Sequence, residues 1–129
     1  MKPVIFLTAL ALLLSCKKET DTCKTWMEAQ IDEVAPLGRS QTGGTGRPEV
    51  RFKVSCWFSN SCSNIHRLVE KRNGNTYTIR AEGIYDQCAF CATMLTPVST
   101  TYVFNPPAAG TYYLKWEGLP ERTDTVRIH

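Results

Sequence analysis

Histidine is nearly missing from this 129-residue chain: only His66 and His129 could serve as imidazole bases, and His129 is the last residue given. Neither G-x-S-x-G nor H-E-x-x-H occurs, which removes the commonest nucleophile and zinc-hydrolase arrangements. His66 reads as a surface residue of a strand. Neighbouring carboxylates such as Asp32 and Glu33 alternate across strand faces and cannot converge on one bond. The glycines of Thr42-Gly43-Gly44-Thr45-Gly46 lack the Lys-Ser/Thr of a phosphate loop, so flexibility is their plain role. Strong net charge is lacking as well. Fifteen basic against twelve acidic side chains give +3, too weak a balance to require nucleic acid or anionic lipid. The basic residues gathered between Arg39 and Arg80 suit a solvated sheet face. There is no sustained helical repeat and no internal repeat, and no apolar run reaches the roughly 20 residues of a membrane-spanning helix. These absences lead to the expectation of a non-enzyme with no cofactor, no bound metal and no nucleic-acid partner.

What is present begins with targeting. Met1-Lys2-Pro3, an apolar stretch from Val4 to Leu14, and Ser15 follow the order of a secretory signal, so residues 1–15 are expected to be removed. Leu13-Leu14-Ser15-Cys16 resembles the lipobox of bacterial lipoproteins. That resemblance implies diacylglycerol on the Cys16 sulfur and an acyl chain on its amine. At about 0.8 kcal/mol per buried methylene, several chains make a permanent anchor. Lys17-Lys18-Glu19-Thr20-Asp21 has no apolar side chain, and residues 16–22 read as a lipidated flexible tether. Lys17 stands where an Asp would, by resemblance to the enterobacterial sorting rule, hold a lipoprotein in the inner membrane. The expected place is therefore the outer membrane of a Gram-negative bacterium, facing the periplasm or the cell surface. The Lys-Lys-acidic run also resembles a surface-export tag.

The remaining chain, residues 23–129, is enough for one domain and too short for two. Val50, Phe52, Val54, Cys56 and Phe58 alternate with Arg51, Lys53, Ser55 and Trp57, the period-two signature of a half-buried strand. Further strands are predicted near Thr25–Val34, Asn64–Lys71, Thr76–Glu82, Phe90–Leu95, Thr100–Phe104, Thr111–Glu117 and Thr123–Ile128. Between them lie turn signals: Gly38–Pro48 as a loop, Asn73-Gly74-Asn75 as a tight hairpin, then residues 105–110 and Gly118-Leu119-Pro120. Seven or eight short strands so spaced predict an all-β fold, a single antiparallel β-sandwich in which each sheet covers the other's apolar face.

The run Tyr102 to Trp116, through Asn105-Pro106-Pro107-Ala108-Ala109-Gly110, resembles the closing strands of small immunoglobulin-like lipoprotein domains. Upstream, Ser59-Asn60-Ser61-Cys62, Asn75-Thr76-Tyr77-Thr78-Ile79 and Cys88 extend the similarity over roughly residues 25 to 128. It implies an immunoglobulin-like sandwich, with a tyrosine whose hydroxyl bonds back to the backbone as a tyrosine corner. It implies nothing about activity, because such sandwiches host many roles. Those relatives commonly read Asn-Gly-Cys where this chain has Asn60-Ser61-Cys62, and Cys56 and Cys91 look like additions.

With Cys16 lipidated, five cysteines remain, at 23, 56, 62, 88 and 91, and an odd count leaves one thiol over in an oxidising compartment. The resemblance favours a bridge from Cys62 to Cys88. Cys56 with Cys91 is the second choice, and Cys23, near the tether, is left free. The same cysteines could in principle supply four thiolates to zinc as Cys56-x5-Cys62 and Cys88-x2-Cys91. The first spacing is wider than usual, and a redox Cys-x-x-Cys belongs at a helix N-terminus rather than in a strand pattern.

Trp57 shares its face with Arg51 and Lys53, which makes these three the candidate ligand surface, while Trp26 and Trp116 are expected in the core. Asp124-Thr125-Val126 resembles an O-glycosylation signal of Gram-negative periplasmic proteins. The functional expectation is a membrane-anchored lipoprotein presenting a non-enzymatic binding or structural module to an envelope protein or a glycan. The alternatives are a protease inhibitor that inserts its Gly38–Pro48 loop into a protease cleft and, less favoured, a cysteine-based zinc or redox protein.

Overall fold

The period-two run of Val50 to Phe58 forms the longest stretch of core: in the computed structural model all five of its apolar members are buried while Arg51, Lys53 and Trp57 are exposed. The structure describes residues 22–41 and 48–129; the signal segment, Cys16, the tether through Asp21 and residues 42–47 lie outside them. Eight strands follow in order: β1 (Lys24–Ala29), β2 (Glu33–Gln41), β3 (Pro48–Phe58), β4 (Ser63–Asn73), β5 (Thr76–Asp86), β6 (Thr96–Phe104), β7 (Gly110–Trp116) and β8 (Leu119–Ile128). They make two sheets, a three-stranded one ordered β2-β3-β6 and a five-stranded one built on β5. No helix occurs among the described residues, and the all-β sandwich is as expected.

In the larger sheet β4 pairs along one side of β5, while β1 and β7 share the other side end to end. β1 takes Ala81–Asp86, β7 takes Thr76–Ile79, and β8 pairs beyond β7. The expected antiparallel arrangement holds for every pair except β5 with β7, which is parallel. Sequence alternation cannot reveal this, since both orientations use the same period. Inward side chains of the two sheets meet in one core, where Phe52 of β3 packs edge-on against Trp116 of β7 at 5.3 Å between ring centroids. Tyr77 of β5 meets Phe104 of β6 at 4.9 Å. Burying each such ring contributes roughly 1.5–3 kcal/mol against the entropy of ordering the chain. The Tyr112 hydroxyl donates to the Ala108 carbonyl at 2.7 Å, closing the turn before β7 as the tyrosine-corner reading implied.

Several predicted boundaries need correction: β6 starts at Thr96, before the expected Thr100, and β8 at Leu119, inside the expected turn and before Thr123. The run Thr25–Val34 is two strands, because the chain leaves one sheet at Gln30 and crosses to the other with Ile31 fully buried in the core. Gly38–Pro48 is not all loop: β2 continues through Gly38 to Gln41, with the register shifting between Pro36 and Gly38, and Pro48 already opens β3. Phe90–Leu95 is no strand but part of a long loop between β5 and β6. The Asn73-Gly74-Asn75 hairpin forms as expected, Gly74 taking φ 62°.

The disulfide expectations also change. Cys88 is bonded to Cys23, and Cys91 to Cys62, so neither Cys62–Cys88 nor Cys56–Cys91 forms and Cys23 is not free. Strand register explains this. Lys24 lies opposite Asp86 and the Gln87 amide donates to the Cys23 carbonyl at 2.8 Å, which extends the ladder and sets Cys23 beside Cys88. The Ser61 amide donates to the Ala92 carbonyl at 3.0 Å, setting Cys62 beside Cys91. Cys56 is the free cysteine among the described residues; it faces inward in the middle of a sheet, 1% exposed, out of reach of the loop. Burial, with the Asp32 charge adding, pushes its thiol up to about 11. Cys62, Cys88 and Cys91 are all held in disulfides, so they are not free thiolates here and Cys88 and Cys91 are not bonded to each other.

Candidate functional site

On the outer face of the five-stranded sheet, three neighbouring strands bring aromatic and charged side chains into register. Glu82 on β5 lies between Glu28 on β1 and Arg67 on β4, and in the next row Ile84 lies between Trp26 and Asn64. The β4 register shifts between Ile65 and Arg67, so His66 is an extra residue in the ladder. A bulge of this kind re-aims a side chain, and here His66 is exposed and meets Trp26 edge-on at 4.2 Å between centroids.

Trp26 is 59% exposed, which corrects its expected place in the core. The reason is strand phase: Met27 and Ala29 turn inward against Gly83 and Ala81, leaving Trp26 on the same side as Lys24 and Glu28. Those flanking charges were a signal in the sequence for an outward face. Gly83 lets the core pack closely on the inner side, since a Cβ there would lie 3.1 Å from the Met27 side chain and 3.4 Å from Phe58.

The Glu82 carboxylate is held by two guanidiniums, accepting from Arg67 Nε at 2.5 Å and from Arg80 Nη2 at 2.9 Å. The hydrogen bond from Arg67, with the charges of both arginines, brings the Glu82 carboxyl below its ordinary range, and the same bond raises Arg67. These side chains line an open groove of about 590 Å³ together with Trp26, Met27, Glu28 and His66. A second depression of about 340 Å³ adjoins it, sharing Glu28 and Arg80, and is lined as well by Gln30, Glu117 and Gly118. The volumes fall in the range of small-ligand sites. Around Trp26 two arginines stand against two glutamates, and Glu117 adds a carboxylate at the far end.

The sequence candidates Arg51, Lys53 and Trp57 sit on the outer face of the other sheet. Trp57 is 47% exposed and lies opposite Pro97. Its amide donates to Asp32 Oδ2 at 2.8 Å, and Arg51 donates to Glu49 at 3.0 Å. Cys16 lies outside the described residues. Cys23, Asp86 and Cys88 come close together, but two of the three form a disulfide and cannot ligate a metal as thiolates. Trp116 is buried as expected, and Thr125 of the glycosylation-like triplet is exposed.

Neither the curated proteins nor the solved structures give a significant match. Residues 52–128 match the family described as ORF11 beta-sandwich domain, a span from within β3 to the end of β8 that includes His66, Arg67, Arg80 and Glu82 but not Trp26 or Glu28. With more than half of its length and six of its eight strands, in whole or in part, inside that match, the chain belongs to the ORF11 beta-sandwich domain family.

Proposed function

We propose that the chain is a lipoprotein, anchored through Cys16 in the outer membrane, whose β-sandwich is a non-enzymatic module binding a neutral glycan of the envelope or of the surroundings. The observation that carries the binding role is the groove at Trp26. An indole face offers an apolar platform for the C–H face of a sugar ring, and guanidinium and carboxylate groups at its rim can exchange paired hydrogen bonds with ring hydroxyls. The charges around Trp26 are paired, two arginines with two glutamates, which disfavours strongly anionic or cationic ligands there. The groove is open and adjoins a second depression, which suits a chain lying across the sheet. The groove at Trp26 is why the outer face of the larger sheet is preferred to the surface of Arg51, Lys53 and Trp57. The anchor rests on the Leu13-Leu14-Ser15-Cys16 resemblance.

The test uses the full chain in detergent against an array of neutral and charged polysaccharides and against envelope extract. Binding to neutral glycans that Trp26→Ala abolishes, and that Glu82→Gln weakens, supports the reading. Equal recovery of one envelope protein by wild type and Trp26→Ala, with no glycan retained, would replace it with a protein-binding role elsewhere on the surface.

A further inference from the structure

Exposed apolar side chains are distributed unevenly between the two ends of the sandwich. One end is made by the start of β1 at Cys23, the turn of residues 59–62 and the loop of residues 87–95, and neither the turn nor the loop holds a single charged residue. On that loop Phe90 is 104%, Leu95 65% and Met94 57% exposed, and Trp57, 47% exposed, is one residue from the end of β3. Four of the large apolar side chains exposed among the described residues therefore gather at one end. An isolated exposed Leu is ordinary, but an uncharged tip bearing Phe, Met and Leu marks an interaction surface.

The loop is held firmly. Cys23–Cys88 and Cys62–Cys91 tie its two cysteines to the starts of β1 and β4, and the Ala92 amide donates to Ser61 Oγ at 2.8 Å. A surface ordered beforehand loses little conformational entropy on contact. The same end is where the chain arrives from Cys16. Seven residues lead from Cys16 to Cys23 and reach at most about 25 Å when fully extended, and Cys23 lies 5.1 Å from Cys88 between Cα atoms.

We infer that this end of the sandwich docks on the bilayer that holds the lipid of Cys16, with Phe90, Met94 and Leu95 entering the headgroup–acyl boundary and Trp57 at headgroup level. The inference rests on the lipid-anchor reading. Given the anchor, docking is an intramolecular event at high effective concentration, so three modest apolar side chains suffice where they would not hold a free protein. Tryptophan favours the interface because its ring is apolar and its N–H polar. The loops themselves carry no ionised group; the nearest carboxylates, Asp86 accepting from the Cys88 amide at 3.1 Å and Asp32 accepting from the Trp57 amide at 2.8 Å, belong at headgroup level, where water remains. Docked in this way, the strands stand away from the membrane and the groove of Trp26 opens sideways, close above the lipid.

The experiment uses the full lipidated chain in phosphatidylethanolamine–phosphatidylglycerol vesicles, with Trp57→Phe as background to reduce native emission. Phe90→Trp and Leu95→Trp are compared with Tyr113→Trp, an exposed position near the start of β7 at the other end, in ordinary and in brominated lipid. Insertion to about 5–10 Å should remove roughly half of the added emission at positions 90 and 95 and leave position 113 unchanged. Equal emission in the two lipids at 90 and 95, with the lipid on Cys16 verified by mass, would overturn docking while leaving the anchor intact. A Cys16 without lipid would overturn both. Shielding of Phe90→Trp only after envelope proteins are added would assign the tip to a protein partner and likewise overturn the inference.

Discussion

The Tyr102 hydroxyl on β6 donates a hydrogen bond to the Glu70 carboxylate on β4, joining edge strands of the two sheets. Burial, reinforced by that bond, raises Tyr102 above the ordinary phenol range. Tyr102→Phe should cost about 1 kcal/mol, read as a lower urea midpoint. Glu70→Gln should cost less, and the double variant should lose less than the sum of the two. Because the folded state resists ionisation, stability should fall as pH rises above about 10, and Tyr102→Phe should blunt that fall. Additive losses would show that the two groups do not act as a pair.

Alkylation followed by mass measurement checks the cysteine pairing. In the folded chain no thiol within residues 22–129 should react at pH 8, since Cys56 is buried and its thiol lies near 11. In denaturant without reductant a single site should react, and proteolysis should yield peptides linking 23 to 88 and 62 to 91. Losing the Cys23–Cys88 bond through a double Cys→Ser change should destabilise by roughly 2–5 kcal/mol.

Asp124 ties the end of the core to the neighbouring sheet. It accepts from Trp116 Nε1 at 2.7 Å and from Arg122 at 2.8 and 3.0 Å, while Arg122 also donates to the Val34 carbonyl at 2.5 Å. Burial works to raise its carboxyl, but the bonds from Arg122 and Trp116 bring it below the ordinary value. A depressed folded pKa stabilises above the unfolded value, near 3.9, and that stabilisation drains away as pH falls through the folded value. Asp124→Asn should lower stability at pH 7 and flatten its decline as pH falls below about 4, followed by urea midpoints. An unchanged acid limb would remove Asp124 from the acid response.

Gly118→Ala should be among the most damaging single changes. The residue has φ 105°, and a Cβ there would lie 2.6 Å from the Ile31 carbonyl at the point where the chain crosses between sheets. A loss above about 2 kcal/mol is expected. A smaller shift in midpoint would mean that the crossing can move.

The sandwich was legible because Val50 to Phe58 alternates cleanly and the turns carry Gly, Pro and Asn where the chain must reverse. The outward face of Trp26 was legible too, since Lys24 and Glu28 share its phase, but general hydrophobicity suggested the core. The groove itself was not legible. It depends on a one-residue bulge at His66 and on the pairing of β1 with β5, and neither leaves a mark in a single sequence. The disulfides failed for the same reason: spacing along the chain says nothing of which strand ends meet, while the register of Lys24 with Asp86 decides it.

β1 is a six-residue strand held to the far half of β5, and by itself it could be peeled away one hydrogen bond after another. Cys23 precedes it and is bonded to Cys88, just past the end of β5. A pull arriving from the N-terminal side therefore bypasses β1 and passes through a covalent bond to the strand that pairs with three others. Mechanical load entering from the N-terminal side is thereby directed into the middle of the larger sheet, and the face carrying Trp26 keeps its shape.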